Sequence, residues 1–243
     1  MWADRYRRQI LVKEFGKEAQ DALAVKHVTL IGGGGLGSHS AELLVRMGIG
    51  SIAIIDNDVV DETNLHRTGL FTEEDLGNPK ALVLQQKLQA INSEVQVMGI
   101  RRVVIEENIQ ALVRGADVIL DGTDSLKLRY LINDVSIKCG IPWVYAGVCD
   151  TVGMTMGVVP KKTPCLQCIS QELSDQQIPE TPVLGTLPAT IAAIQCNETL
   201  KLLLGKPLAG LIIYDVWNQC FQTMALKRNP ACPVCVREKW KVL

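Results

Sequence analysis

Short apolar runs alternate with segments of helical periodicity through the first 150 residues of this chain. The apolar runs have the length of buried strands, and they lie at residues 28–31, 52–55, 95–100, 118–120 and 143–146. The segments between them predict helices after Gly37, from Asn78-Pro79 onward, at 105–114 and at 126–139. Alternation of strands and helices predicts an α/β fold with a parallel, doubly wound, Rossmann-like sheet.

The pattern differs at both ends of the chain. Residues 3–24 are charged, with apolar positions at helical spacing, which predicts an N-terminal helical arm. Beyond Gly147, residues 154–159 and 211–226 alternate as strands do, and a single long helical pattern at 187–204 lies between them. We therefore expect the parallel sheet to be extended by antiparallel C-terminal strands.

Composition bounds the possible classes of protein. The chain has 243 residues, 47% of them hydrophobic, which suffices for one domain with a large core. Its 25 basic and 26 acidic residues give a net charge of −1, so charge offers no case for binding nucleic acid or a membrane surface. The start is polar, and we find no apolar stretch long enough to span a bilayer. We expect a soluble, cytoplasmic protein.

A glycine-rich turn follows the first predicted strand. Residues 32–37 contain G-x-G-x-x-G, with Gly32, Gly34 and Gly37 at the fixed positions, between a strand and a helix. Glycines allow the backbone to approach a phosphate closely, and the N–H groups at the helix start face the anion. Asp56 ends the second strand, where a carboxylate can bind ribose hydroxyls. The pattern favours a nucleotide site over a plain tight turn.

The residues after Asp56 bear on which nucleotide is bound. A dehydrogenase that uses a dinucleotide is the first alternative, since it shares this fingerprint. Here, however, Asn64, Arg67 and Lys80 add an amide and two cations, and Pro79 places Lys80 near a helix N-terminus. Each cation alone is more typical of a solvated surface, but their clustering favours a triphosphate.

Four of the eight cysteines form two C-x-x-C pairs, Cys165 with Cys168 and Cys232 with Cys235. Four thiolates are the ligand set of a structural zinc site, whereas a catalytic zinc normally keeps one position open. A secreted disulfide scaffold or a redox pair explains this spacing less well. The other four cysteines lie in apolar contexts and are predicted to be core residues: Cys139, Cys149, Cys196 and Cys220.

These motifs, in this order and spacing, resemble the ThiF/MoeB/HesA family of ubiquitin-like-protein activating, adenylating enzymes. The resemblance runs from Arg5 to about Cys235. Besides both cysteine pairs, the matching stretches are residues 5–10, 32–37, 56–58, 64–67, 77–80 and 121–124.

The resemblance implies an adenylyltransferase that uses ATP and Mg²⁺ to activate the C-terminal carboxylate of a small ubiquitin-like sulfur-carrier protein of the ThiS/MoaD type. The product would be an acyl-adenylate, with release of pyrophosphate. It also implies a homodimer in which Arg8 reaches into the partner's site. The expected catalytic residues are Arg8, Arg67, Lys80 and Asp124. The expected nucleotide and Mg²⁺ ligands are Gly32, Gly34, Gly35, Gly37, Asp56, Asp58, Asn64, Arg67, Lys80, Asp124 and Ser125.

The expected chemistry agrees with these residue types. A C-terminal carboxylate has a pKa of about 3.5, so it is ionised at neutral pH and attacks the α-phosphate without a general base. Arg67, Lys80 and Arg8 would then neutralise charge on the phosphates, and Asp124 would bind Mg²⁺. The alternative role for Asp124 is the N-cap of the following helix. We expect one domain, with a nucleotide-binding half at 1–150 and a zinc-containing, carrier-binding half at 151–243.

Departures from the family pattern limit the second half of the reaction. Thr68 and Ser125 replace the residues that commonly follow the family's Arg and Asp, which affects positioning. The polar segment 171–188 predicts a loop, and no cysteine occurs from residue 171 to 194, where some relatives carry a nucleophile. No rhodanese domain follows, so a separate sulfur donor is expected. Two alternatives stay open: an acyl group on a small molecule, peptide or tRNA, and a non-catalytic partner subunit.

Overall fold

The computed structural model describes residues 2–169 and 181–243. Its N-terminal part consists of three short helices, α1 (Trp2–Arg5), α2 (Arg7–Ile10) and α3 (Gly16–Leu23). The predicted N-terminal arm is therefore helical, but it is divided into three helices. The backbone takes a φ of 72° at Gly16, a left-handed conformation that a continuous right-handed helix cannot contain.

The described ranges contain eight strands: β1 (His27–Ile31), β2 (Ser51–Ile55), β3 (Gln96–Ile100), β4 (Val118–Asp121), β5 (Trp143–Cys149), β6 (Val152–Val158), β7 (Leu211–Asp215) and β8 (Cys220–Met224). The remaining helices are α4 (Gly35–Met47), α5 (Lys80–Ile91), α6 (Ile109–Leu112), α7 (Leu126–Cys139), α8 (Leu166–Ile169) and α9 (Thr186–Leu203). The strands form one sheet in the order β3-β2-β1-β4-β5-β6-β7-β8.

The sheet is parallel from β3 to β5 and antiparallel from β5 to β8. This confirms the predicted fold class. The strand order reverses between β1 and β4, which creates a crevice at the carboxyl ends of these two strands. Ligands of open α/β sheets bind at such a reversal.

Helices cover both faces of the sheet. One cluster of buried residues joins β1, β2 and β4 to α4, α5 and α9, as Leu30, Leu44 and Leu84 illustrate. The second joins the opposite faces of the same strands to α6, α7 and the cysteine turns, as Ile31, Ile132 and Cys165 illustrate. Adjacent residues of one strand thus pack on opposite faces, because successive side chains of a strand alternate.

Element boundaries differ from the predictions at a few places. Helix α4 begins at Gly35, within the glycine turn, and α6 begins only at Ile109 because the Asn108 side chain accepts the N–H of Ile105 and forms a turn first. Most of the predicted loop at 171–188 lies outside the described residues, and α9 occupies its end. None of the helices in the described ranges has the length and apolar character needed to cross a bilayer.

Candidate functional site

The glycine turn closes the crevice between β1 and β4. The Gly32 N–H donates to the carbonyl of Ile55 at 2.8 Å, and the Gly122 N–H donates to the carbonyl of Ile31 at 2.8 Å. A Cβ atom on Gly32, whose φ is 92°, would lie 2.6 Å from the backbone of Gly122. The turn after β1 therefore packs directly against the loop after β4, and this approach requires glycine.

Asp56 is positioned beneath this turn at the end of β2. One carboxylate oxygen accepts the N–H of Gly33 at 2.6 Å, and the other accepts the N–H of Asp58 at 2.7 Å. Burial raises the pKa of Asp56, although these two donors and nearby Lys80 oppose the shift. The carboxylate thus organises both loops and lies beside the glycine turn.

Lys80 is the first residue of α5 and is only 7% exposed. Pro79 precedes the helix, and the Lys80 N–H donates to the carbonyl of Asp58 at 3.0 Å. The Lys80 ammonium lies 3.3 Å from the Asp58 carboxylate, whose side chain is 60% exposed. A buried cation with one solvated partner keeps capacity for a second anion.

Asn64 and Arg67 lie on the segment between β2 and α5. The Asn64 side chain accepts the N–H of Asp61 at 3.3 Å and closes a 3-10 turn. The Arg67 guanidinium donates to the carbonyl of Thr63 at 2.5 Å, and Gly35 lies beside the Arg67 side chain. The structure thus brings Arg67 to the start of α4, next to the glycine turn.

Asp124 is exposed on the loop between β4 and α7. The N-cap of α7 is Ser125, whose hydroxyl accepts the N–H of Leu128 at 3.3 Å. The capping role considered for Asp124 therefore belongs to its neighbour. Among the residues that the structure describes, no hydrogen bond engages the Asp124 carboxylate.

A buried ion pair that the sequence analysis missed supports the Asp124 loop. Arg129 of α7 lies 3.1 Å from the fully buried Asp121 carboxylate, and its guanidinium also donates to the carbonyls of Thr123 at 2.6 Å and Ala146 at 3.1 Å. Burial raises the pKa of Asp121, while Arg129 and the donors of Thr123 oppose that shift. Two features of the sequence could have indicated this pair: Asp121 directly follows a predicted strand, and Arg129 lies in the first turn of the next predicted helix.

A cavity of about 470 Å³ opens beside this loop. Its wall is mixed. Asn57, directly after Asp56, and Ser125 line it together with the charged residues Glu106, Glu107 and Lys127, and the apolar part includes Leu128, Leu131 and Val242. A cavity of this volume has the size of a small-molecule pocket.

The two cysteine pairs converge as predicted. The Sγ atoms of Cys165 and Cys232 are 3.7 Å apart, those of Cys168 and Cys235 are 3.5 Å apart, and all four lie within 4.8 Å of one another. Four sulfurs at about 2.3 Å from one tetrahedral zinc would be separated by about 3.8 Å. Burial raises the pKa of the Cys165 thiol, and a divalent cation would offset the cost of ionising it. The donor set fits zinc.

The core prediction for the other cysteines holds only for Cys196, which is buried in α9. Cys139, Cys149 and Cys220 are exposed, so that prediction was wrong. Cys139 is the last residue of α7, Cys149 ends β5 and Cys220 begins the outermost strand β8. Each lies at the end of an element, where its side chain remains accessible to solvent.

Arg8 does not join the other predicted residues. It is exposed on α2, and this arm is anchored at the C-terminal end of α5 by Arg5, whose guanidinium donates to the carbonyl of Ile91 at 3.0 Å. The Tyr6 hydroxyl accepts the side-chain N–H of Asn92 at 2.8 Å at the same end. Lys80 begins α5, about 17 Å away at 1.5 Å per residue. Arg8 therefore lies at the opposite end of α5 from its own chain's site.

Comparison with known proteins agrees with this geometry. The ThiF family matches residues 6–234. The SAMP-activating enzyme E1 of Haloferax volcanii is 37% identical over 239 residues, which cover 96% of this chain and 88% of that enzyme. The sulfur carrier protein adenylyltransferase of Thermus thermophilus is 37% identical over 245 residues, covering 96% of this chain and 90% of that enzyme.

Solved structures show the same architecture. A crystal structure of Escherichia coli MccB matches with a TM-score of 0.86 at 26% identity, covering 96% of this chain and 72% of that chain. A structure of MccB with ATP matches with a TM-score of 0.83 at 27% identity, covering 96% and 74%. These matches confirm the resemblance and the adenylating class inferred from the sequence. This chain belongs to the ThiF family.

Proposed function

We propose that this protein is an ATP- and Mg²⁺-dependent adenylyltransferase that activates the C-terminal carboxylate of a small ubiquitin-like sulfur-carrier protein. The observation that carries the proposal is the convergence of the glycine turn, Asp56, Arg67 and buried Lys80 at one sheet edge in a ThiF-family fold. The sulfur carrier protein adenylyltransferase of Thermus thermophilus matches over 90% of its own length, which supports the substrate class.

The phosphates of ATP would lie over the glycine turn. A Cβ on Gly34 would meet nothing within 4 Å, so the space above this backbone is open, and the free N–H groups at the start of α4 point to it. Gly35, Arg67 and Lys80 border the same space. Asp56 would accept hydrogen bonds from the ribose, and the cavity that Asn57 lines would take the base.

The chemistry needs charge neutralisation more than proton transfer. The carrier's carboxylate is ionised near neutral pH and attacks the α-phosphorus, and the bond between the α-phosphorus and the bridging oxygen breaks to release pyrophosphate. Lys80 and Arg67 would stabilise the negative charge on the departing pyrophosphate. Asp124, with its exposed carboxylate, would be a Mg²⁺ ligand beside Ser125, and Mg²⁺ when bound would further neutralise the phosphates.

The carrier would bind to the half of the chain from 151 to 243. The hairpin of β7 and β8 forms the outer edge of the sheet and presents exposed apolar side chains: Trp217 is 72% exposed, Phe221 54% and Met224 47%. Exposed apolar residues clustered on one edge are typical of a protein interaction surface. A structural zinc held by the four cysteines would fix the base of this half.

The active unit would be a homodimer in which Arg8 completes the partner's site, since Arg8 is remote from Lys80 in its own chain. A four-thiol site also favours a reducing compartment, so we place the reaction in the cytoplasm. Residues 171–194 contain no cysteine, and we therefore assign the sulfur to a separate donor protein.

ATP–pyrophosphate exchange tests the proposal. Exchange should depend on Mg²⁺ and on a carrier with a free C-terminal carboxylate, and the same carrier with an amidated C-terminus should not support it. Lys80→Ala should abolish exchange, whereas Lys17→Ala, which removes an exposed surface lysine, should not alter it. Absence of exchange with every carrier of this type would contradict the substrate assignment.

The same assay decides the alternatives. If a small molecule, a peptide or a charged tRNA supports exchange while no carrier does, the acyl substrate is of that class. If the purified chain binds ATP but exchanges with no substrate until a second protein is added, the chain is a partner subunit.

A further inference from the structure

The last residues of the chain are bound to the helix that carries the Asp124 loop. The buried carboxylate of Asp134 on α7 accepts the N–H groups of Lys241 at 2.7 Å, Val242 at 2.7 Å and Leu243 at 3.4 Å. The ammonium of Lys241 also lies 3.6 Å from the ring centre of Tyr130, one helical turn before Asp134. Three donors to one buried carboxylate oxygen fix the backbone of this segment.

The same segment is bound to the second cysteine turn. The N–H of Arg237 donates to the carbonyl of Cys232 at 3.2 Å, and the N–H of Lys239 donates to the carbonyl of Pro233 at 2.8 Å. Trp240 then packs against the core on this side of the sheet. Residues 237–243 therefore connect the cysteine cluster to α7, and hydrogen bonds or packing contacts hold the segment along its length.

Val242, near the end of this segment, is the residue that lines the cavity. It lines the same cavity as Asn57, Ser125 and the apolar residues Leu128 and Leu131 of α7. Asn57 directly follows Asp56, the residue assigned to the ribose. A nucleotide whose ribose lies at Asp56 and whose phosphates lie over the glycine turn would direct its base away from that turn, into the cavity that both Asn57 and Val242 line.

We propose that Val242 is a nucleobase-contacting residue of the ATP site and that Asp134 is the positioning residue that holds it there. The inference rests on the proposed function, since it requires ATP to bind at Asp56. It adds a contact from the zinc-containing half to a site otherwise built from the first half of the chain. It also gives the cysteine cluster a role in shaping the nucleotide site.

Substitution kinetics test the contact. Val242→Trp should fill the cavity and raise the KM for ATP by about tenfold or more while kcat stays near the wild-type value, because the loss is in ground-state binding. Val242→Ala should raise the KM for ATP by a few fold and reduce the preference for ATP over GTP. The matched control is Val236→Ala, in the same part of the chain but 43% exposed and away from the cavity; its KM should not change.

Asp134→Asn tests the positioning role. The variant should have a higher KM for ATP, a kcat near the wild-type value and a full zinc content. If Asp134 served stability alone, the melting temperature would fall while the KM for ATP stayed at the wild-type value. A wild-type KM in Asp134→Asn would show that the segment is not needed to place Val242.

Photolabelling of the unmodified protein gives an answer even if a variant fails to fold. With 2-azido-ATP or 8-azido-ATP, the label should appear on the peptide beginning at Lys239, which cleavage after Glu238 releases. Label found only elsewhere, or Val242→Trp with wild-type KM, would overturn the inference and leave the proposed function standing. Failure of the wild type to bind ATP would instead refute both.

Discussion

A Cβ atom on Gly37 would lie 1.9 Å from the carbonyl oxygen of Gly32. The first turn of α4 thus packs against the glycine turn with no room for a side chain. Gly37→Ala should displace this backbone, lower stability by about 3 kcal/mol and weaken ATP binding together. Urea unfolding and equilibrium binding of ATP measure the two effects.

Gly34→Ala should separate those effects. A Cβ there would meet nothing within 4 Å, so the variant should unfold at the wild-type urea concentration. The same methyl group would occupy the space assigned to the phosphates, and ATP affinity should fall by about tenfold or more. Unchanged affinity in a folded Gly34→Ala protein would contradict the placement of the phosphates.

Purified protein should contain about one Zn²⁺ per chain, and its removal by a chelator should lower the melting temperature. Cys168→Ser should lose the metal and show the same loss of stability, since three thiolates hold zinc less well than four. The control is Cys220→Ser, because Cys220 is exposed and outside the cluster. A metal-free protein with an unchanged melting temperature would rule out a structural metal.

Asp124→Ala should abolish Mg²⁺-dependent pyrophosphate exchange and leave the melting temperature and zinc content unchanged. Its carboxylate is exposed and is not part of the α7 cap, so the fold should not depend on it. Asp21→Ala, another exposed aspartate, serves as the control. Exchange near the wild-type rate in Asp124→Ala would show that Mg²⁺ is bound elsewhere.

Asp56 should make stability depend on pH in acid. The unfolded chain releases this proton near the ordinary pKa of about 3.9, whereas burial raises the pKa of Asp56 in the folded protein. Between the two values the folded state binds more protons, so this group's contribution to stability falls as pH rises from about 4 through the raised pKa. Urea unfolding over that range should show that the free energy of unfolding of the wild type falls relative to that of Asp56→Asn as pH rises. If the two free energies changed with pH in parallel, the raised pKa of Asp56 would be contradicted.

Much of this arrangement follows from local signals. Apolar runs predict the strands because a parallel sheet covered on both faces needs side chains that are apolar in succession, as at Ile54 and Ile55. The pairs Cys165 with Cys168 and Cys232 with Cys235 were predictable because two thiolates that bind one metal from a single turn are separated by two residues. The start of α4 at Gly35 was less predictable, since glycine is a poor helix former and its place here depends on the packing of Gly37 against Gly32.

Other features depend on contacts between distant segments, which no local pattern records. The ion pair of Asp121 with Arg129 forms because β4 and α7 pack together, and either residue alone is unremarkable in sequence. Val242 lies at the cavity with its backbone N–H bound to Asp134, 108 residues earlier in the chain. The exposure of Cys149 was likewise not predictable, because the sequence predicts a strand at 143–146 and β5 instead continues to Cys149.

The last prediction concerns Arg8 and the homodimer. Arg5 and Tyr6 anchor the N-terminal arm at the C-terminal end of α5, so Arg8 cannot reach the phosphates bound near Lys80 of its own chain. Arg8→Ala and Lys80→Ala homodimers should each be nearly inactive, because each site lacks one phosphate-binding cation. When the two are mixed, random exchange makes half the dimers mixed, and one of the two sites in each carries both wild-type residues.

Pyrophosphate exchange should therefore recover to about a quarter of the wild-type rate after mixing. A mixture of Arg46→Ala with Lys80→Ala is the reference. Arg46 pairs with Glu42 on the surface of α4, so the Arg46→Ala homodimer should itself be active. The exchange rate of this mixture should therefore be proportional to the amount of Arg46→Ala protein that it contains. If Arg8 instead acted within its own chain, every site in the Arg8→Ala and Lys80→Ala mixture would lack one cation. Mixing would then recover no activity, and the assignment of Arg8 to the partner's site would fall.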